Sequence, residues 1–211
     1  MYISRVMLNT ARRNTQIALN SPNRFHGAIE DSFNEKQDRN LWRIDRLNGN
    51  SYMIMVRCSK PDLDSFIEQF SDKGQKAEII SYDKFLESIQ NGSIWRFRLV
   101  ANPTRSIKQD GEERGKVVAH ITEKYQLEWL LQKASKNGFH IVQNGTESSA
   151  SVTASEWKNF KKKNKYSVHL LAVSYDGILQ VDDAELFRHA LCNGIGREKA
   201  YGMGLLTIMR V

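Results

Sequence analysis

Asn48-Gly-Asn-Ser joins two strand-like runs, 41–47 and 52–58, and no other short segment restricts the fold as much. An Asn-Gly dipeptide between alternating apolar residues supplies the positive φ values of a tight hairpin, which makes the two runs antiparallel neighbours. Helical periodicity stands on both sides of that hairpin. Upstream, residues 23–33 carry Phe25, Ile29 and Phe33 four positions apart, after an alternating strand at 2–8. Downstream, Pro61 occupies a plausible first helical position before the stripe Leu63, Phe66, Ile67 and Phe70. The alternating run Ile94–Ala101 reads as the closing strand. The order β-α-β-β-α-β is that of a ferredoxin-like unit.

The second half follows the same order more loosely. Val117-Val-Ala reads as a short strand, 122–136 as a helix with Thr122 as N-cap candidate, and 139–142 as a strand. Residues 166–175 and 178–181 read as a pair turning at Asp176-Gly177, 183–192 as a helix, and 205–209 as the last strand. Pro103, Gly111 and Gly115 interrupt the periodicity between 102 and 115. The expectation is therefore an α+β chain of two tandem ferredoxin-like domains, 1–102 and 103–211, with no visible internal repeat.

Charge and cysteine usage narrow the function. Thirty-one Lys and Arg against 24 Asp and Glu leave +7, a balance that favours a polyanionic partner. No apolar run approaches the roughly 18 residues that span a bilayer, and the opening segment is too short for a signal-peptide core. Cys58 and Cys192 stand far apart with no Cys-x-x-Cys or Cys/His cluster, which removes structural zinc and a disulfide framework. A reduced cytoplasmic protein without membrane association is the expectation.

Three features bear chemistry. The run Gly194-Ile-Gly-Arg-Glu-Lys-Ala-Tyr-Gly-Met-Gly holds two Gly-x-Gly pairs, Gly194/Gly196 and Gly202/Gly204, with Arg197 and Lys199 between them. It follows a helix and opens a strand, so it is neither a dinucleotide fingerprint nor a P-loop. It is either a cradle of backbone N–H groups for phosphates or a tight turn needing positive φ. His26, on the first helix and off the Phe25 face, can meet solvent; an imidazole there can exchange protons with a ribose hydroxyl near neutral pH, or simply pack locally. Basic residues gather twice: Arg96, Arg98, Arg105, Lys108 and then Lys116, and the five lysines Lys158, Lys161, Lys162, Lys163 and Lys165. Such clusters are either solvated surface or tracks for RNA phosphates. No metal-ligand cluster appears, so neither a metal nor a cofactor is expected.

Along its whole length the chain resembles the CRISPR-associated repeat-processing endoribonucleases of the type I-E system, the CasE family. The resemblance rests on Met1-Tyr-Ile-Ser-Arg-Val, His26-Gly27, Leu41-Trp-Arg-Ile-Asp, Phe97-Arg-Leu-Val-Ala-Asn-Pro-Thr-Arg-Ser-Ile, Gly115-Lys116, Trp129-Leu130, Tyr175-Asp-Gly-Ile-Leu and the paired glycine motif. It implies tandem ferredoxin-like domains, metal-independent cleavage of precursor CRISPR RNA at the base of the repeat hairpin, and retention of the product in the Cascade complex with its other subunits. It assigns catalysis to His26. Several members place a tyrosine three residues earlier, where this chain has Asn23; Asn23 cannot transfer a proton but can orient a hydroxyl, and Arg24 can supply charge. The alternatives are a non-catalytic RNA-binding subunit and a regulatory domain that binds a small metabolite.

Overall fold

The computed structural model describes residues 1–33, 40–57, 59–107, 115–162 and 166–211, with Lys162 described by its backbone. Cys58, Lys108, Gly111, Lys163 and Lys165 lie outside the described residues. The first unit consists of β1 (Tyr2–Leu8), α1 (Arg13–Asn20), α2 (Asn23–Asp31), β2 (Leu41–Leu47), β3 (Asn50–Arg57), α3 (Asp64–Phe70) and β4 (Glu78–Ser81). Its strands lie in the order β2-β3-β1-β4, antiparallel throughout. Asn48 and Gly49 have φ of 51° and 79°, the paired positive values that a two-residue hairpin loop requires.

The ferredoxin-like order therefore holds in the first unit, but a different strand closes it. Ile94–Ala101 was expected at that edge; β4 occupies it, while Ile94–Ala101 (β5) pairs with the second sheet. Alternation shows that a strand has one buried face and says nothing about which sheet buries it. Helix α3 starts at Asp64, so Pro61 precedes it and the Asp62 carboxylate accepts from the Asp64 N–H at 3.1 Å. Helix α1 carried no recognisable stripe.

After the short α4 (Asp83–Glu87), the second unit runs β5, β6 (Thr104–Ile107), β7 (Lys116–Ala119), α5 (Glu123–Lys136), β8 (Phe139–Ile141), β9 (Gln143–Asn144), β10 (Glu147–Ser148), β11 (Ser151–Lys162), β12 (Tyr166–Val181), α6 (Ala184–Asn193) and β13 (Leu206–Arg210). Its sheet has the order β11-β12-β5-β13, with β8 beside the far end of β12. That is again the ferredoxin-like order, begun by β5. The change of sheet falls between Ser81 and Ile94, ahead of the expected division at 102. Val117–Ala119 is not the opening strand: it pairs with β6 in a separate hairpin. Asp176-Gly177 is not a turn, since β12 runs unbroken through it. A Cβ on Gly177 would stand 2.8 Å from the Ala150 Cα and 2.9 Å from the Phe97 ring, so this glycine serves close approach within the sheet. Asp183 caps α6, accepting from the Glu185 and Leu186 N–H groups, whereas Thr122 stands at the N-cap of α5 without a side-chain bond.

Two cores result. Val6, Leu8, Trp42, Met53 and Met55 of the first sheet pack on Phe25, Ile29, Phe66 and Phe70 of its helices. The second core takes Phe97, Leu99, Tyr175 and Leu179 from its sheet and Trp129, Leu130 and Phe187 from α5 and α6, and it also takes Leu41 and Val56 from the first sheet. Each such side chain contributes about 1.5–3 kcal/mol when fully buried, and the shared residues fix one unit against the other. Among the described residues no helix is long and apolar enough to cross a membrane.

Candidate nucleic-acid interface

Helix α2 is anchored by Phe25 and Ile29, one turn apart, with the Phe25 ring 4.9 Å from Phe70 and 5.8 Å from Trp42. His26 follows Phe25 and so turns off the buried face; its side chain is 35% exposed. Its Nδ1 is buried without a hydrogen-bond partner, 3.9 Å from Glu30 Oε1 one turn on. Glu30 Oε1 accepts from Asn40 Nδ2. Nδ1 is thus closed to a substrate, and proton exchange at this ring falls to Nε2. Asn23 is half-buried with an unpartnered Oδ1, and Arg24 is exposed. The helix packs against the short 3-10 turn Lys199–Tyr201 of the glycine-rich loop.

In that loop three glycine N–H groups are already bonded within the chain, which favours the tight turn over the phosphate cradle. The Gly194, Gly202 and Gly204 N–H groups donate to Ala190, Lys199 and Val100 carbonyls at 2.8, 3.3 and 2.7 Å. Packing explains the glycines instead: at Gly202, φ is +81° and a Cβ would meet the Trp42 ring at 2.7 Å, and at Gly194 a Cβ would meet the Gly204 oxygen and Leu41 Cδ2 at 2.7 Å. Gly196 sits against Trp129. The loop is the clasp that holds the second unit on Leu41 and Trp42, beside the helix that carries His26. The Lys199 stem lies beside Gly194 and Gly204, since a Cβ on either would stand 3.1 Å from it. Arg197 is exposed.

The cations expected on strands fall into four places. Lys158 lines a groove of about 430 Å³ together with Pro22, Phe25, Arg46, Tyr201 and Glu156, and its Nζ contacts Glu156 at 2.7 Å. This groove brings the second unit's strand β11 to helix α2. Arg98 lines a cleft of about 710 Å³ between the two sheets with Arg43, Asp45 and Arg96. It is ion-paired with Asp176 at 2.7 Å, and that carboxylate, as hydrogen-bond acceptor, raises the Arg98 pKa. Arg105 and Lys116 lie on the β6–β7 hairpin, one strand each. Lys161 is exposed on β11, three residues past Lys158 and therefore on the other face of the strand.

Arg43 is the residue that sequence reading passed over. It is 2% exposed, forks onto Asp45 at 2.7 and 2.6 Å, and donates to the Arg98 and Leu205 carbonyls and to Thr207 Oγ1 across the cleft. An Arg in a strand two positions before an Asp was the available signal, since both side chains share a face.

A model of the family described as CRISPR associated protein matches residues 1–210. The chain belongs to this family. It is 25% identical over 219 residues to the CRISPR-associated endoribonuclease Cse3 of Thermus thermophilus, covering 99% of each chain. Its fold is that of CRISPR endoribonuclease Cse3 bound to 19 nt RNA, with a TM-score of 0.85, 23% identity, and coverage of 99% of this chain and 100% of that one. A chain of a CRISPR RNA-guided surveillance complex, pre-nicking, is similar with a TM-score of 0.69, 19% identity and full coverage of both.

In this CRISPR-associated protein the proton chemistry on offer is narrow. Burial pushes the Tyr82 and Tyr175 hydroxyls up, and Tyr175 donates to the Gln126 carbonyl, so neither is a proton donor near neutral pH. His140 is tied to Asp182 and His169 to Asn159, each at 2.7 Å. His189 lies on α6 and His120 precedes α5. His26 lies on α2, the helix that packs on the Lys199–Tyr201 turn of the second unit.

Proposed function

We propose that the chain is a metal-independent endoribonuclease that cuts precursor CRISPR RNA at the base of the repeat hairpin and retains the mature guide as a subunit of the Cascade complex. The observation that carries this reading is His26: a partly exposed imidazole with Nδ1 buried, on the helix that faces Lys158 and the Lys199–Tyr201 turn. The full-length similarity to an endoribonuclease and to a surveillance-complex chain supports the substrate and the partner.

In the proposed reaction the ribose 2′-oxygen attacks the adjacent phosphorus as the 2′-hydroxyl proton is removed. The bond from phosphorus to the 5′-oxygen breaks and that oxygen gains a proton. The products are a 2′,3′-cyclic phosphate and a 5′-hydroxyl. His26 Nε2 serves as the base or the acid of this exchange. Asn23 orients the hydroxyl, and Arg24, Lys158 and Lys199 stabilise the charge that builds on the phosphoryl oxygens. The remaining cations, Arg98, Arg105, Lys108, Lys116, Lys161, Lys162, Lys163, Lys165 and Arg197, hold phosphates of the bound RNA.

The test incubates the full chain with a synthetic repeat hairpin in EDTA and determines both new ends. A shortened RNA with a cyclic phosphate and a 5′-hydroxyl is the expected result. A mobility shift without shortening replaces the reading with a non-catalytic RNA-binding subunit.

A further inference from the structure

Behind the strand that carries Lys158 lies a groove that the cleavage reaction does not use. Successive residues of β11 point to opposite faces of the sheet. Lys158 turns toward α2, and Trp157 turns away into a groove of about 480 Å³ whose lining includes Asn102, Val117, Ile121, His169 and Arg197. Of the chain's four tryptophans, Trp42, Trp95 and Trp129 are buried in the cores, and Trp157 is 50% exposed. Val117 and Ile121 beside it are also exposed, so the groove offers an aromatic face and apolar walls to something not of this unit.

The polar groups set what that is. Asn102 is 6% exposed and its Oδ1 is buried with no hydrogen-bond partner, an unusual state for an amide oxygen. His169 is held by its Nδ1 on Asn159 Oδ1 at 2.7 Å, which leaves Nε2 to bond a ligand. Arg197 makes no ion pair among the described residues, and Glu198 is the acid in the lining. The hairpin that supplies Val117 also carries Arg105 and Lys116. An indole open on one side, a cation beside it and an unsatisfied amide beneath form the set that takes a nucleobase by stacking and its phosphate by charge.

We propose that this groove holds an unpaired nucleotide flanking the repeat hairpin, its base stacked on Trp157 and its phosphate on Arg197. The inference rests on the chain being a hairpin RNA endonuclease and adds a site for single-stranded RNA on the opposite face of β11. The cations favour this occupant over an apolar protein segment.

Binding is measured with the full chain carrying His26→Ala, so that RNA stays intact, using bare hairpin, hairpin with a short unpaired flank on either side, and flanked hairpin with abasic flank nucleotides. One flank raises affinity about tenfold, the abasic flank does not, and Trp157→Ala erases the gain while Trp157→Phe keeps most of it. Trp157→Ala leaves the salt slope unchanged, whereas Arg197→Ala lowers it by about 0.7. Flanked RNA quenches tryptophan emission and does not quench it in Trp157→Phe. If Trp157→Ala keeps the wild-type ratio of flanked to bare affinity while the chain with His26 restored still cleaves, the nucleotide site is wrong and the endonuclease reading stands. Loss of co-purification with other complex subunits in that same variant, with the ratio unchanged, assigns the groove to a protein partner and also overturns the proposal. Absence of cleavage by the wild-type chain overturns the endonuclease reading by itself.

Discussion

The two sheets share one strand order and use their faces differently. In the first, Ser4, Val6, Leu8 and Met53 point to the unit's own helices, while Ile3, Ile54, Leu41 and Val56 on the reverse face pack into the neighbour's core. Both faces are committed. In the second, Phe97, Leu99 and Tyr175 lie under α5 and α6, and the reverse face presents Arg96, Arg98, Asp176 and Thr207 to the inter-sheet cleft. A sheet covered on one side can spare its other face for charge. The unit that carries His26 is therefore positioned by docking, and the unit that docks it carries most of the cations proposed to hold RNA. In the proposed function, catalysis and binding therefore sit on different units that meet along α2, β11 and the glycine clasp.

The largest effect is expected at the histidine. His26→Ala should slow hairpin cleavage by about 10²- to 10⁴-fold, the range of a lost general acid or base, with hairpin affinity retained in a metal-free assay. Equal cleavage by wild type and variant removes His26 from the mechanism. Arg43 tests the docking of the two units. Arg43→Ala leaves the Asp45 carboxylate and the buried Leu205 carbonyl without this donor, a loss of about 3–5 kcal/mol for a broken buried pair. Urea unfolding should show that loss, and cleavage and affinity should fall together, unlike the His26 variant. A loss of cleavage without destabilisation would place Arg43 at the substrate and not at the seam.

How far these features were legible depended on range. Local signals held: Asn48-Gly49 made the turn its dipeptide dictates, Phe25 and Ile29 made the buried face of α2, and His26 stood off it. Long-range partners did not. β5 alternates cleanly, yet its alternation is equally compatible with either sheet, and β4 is four residues long, too short to show a period. Gly177 looked like a turn residue because a missing side chain reads the same in sequence whether it frees φ or makes room for a neighbour. The glycines near the end suggested phosphate binding on composition, whereas Leu41 and Trp42, some 150 positions away in the chain, explain Gly194 and Gly202. The lysine segment was legible as charge, and which of its residues share a face was not, because β11 itself was not anticipated.

That strand carries two lysines three positions apart. Lys158 faces α2 and Lys161 the other side, so Lys158→Ala should reduce both cleavage and the salt dependence of hairpin binding, the slope by about 0.7–0.9 if one phosphate contact is lost. Lys161→Ala should alter cleavage less. Binding titrations across salt, paired with single-turnover rates, read both. Identical effects would mean that the hairpin RNA wraps the strand and does not lie on one face.

The smallest effect concerns His120, beside the β6–β7 hairpin at the rim of the second unit. Burial lowers its pKa below the ordinary 6.5, the positive charge of Arg105 lowers it further, and Glu128 opposes both. The folded chain thus favours neutral His120, and the unfolded chain takes up the proton first as pH falls through about 6.5, so this residue's contribution to stability declines on acidification below that point and is complete above it. Proton NMR of the imidazole should show a midpoint under 6.5 that rises in Arg105→Ala without reaching the ordinary value, because burial is the larger cause. Hairpin RNA should raise it as well, since a phosphate on Arg105 cancels the charge that His120 feels. A midpoint that RNA leaves unmoved, at a concentration that saturates the chain, would place the RNA path away from this hairpin and confine the binding surface to β11 and α2.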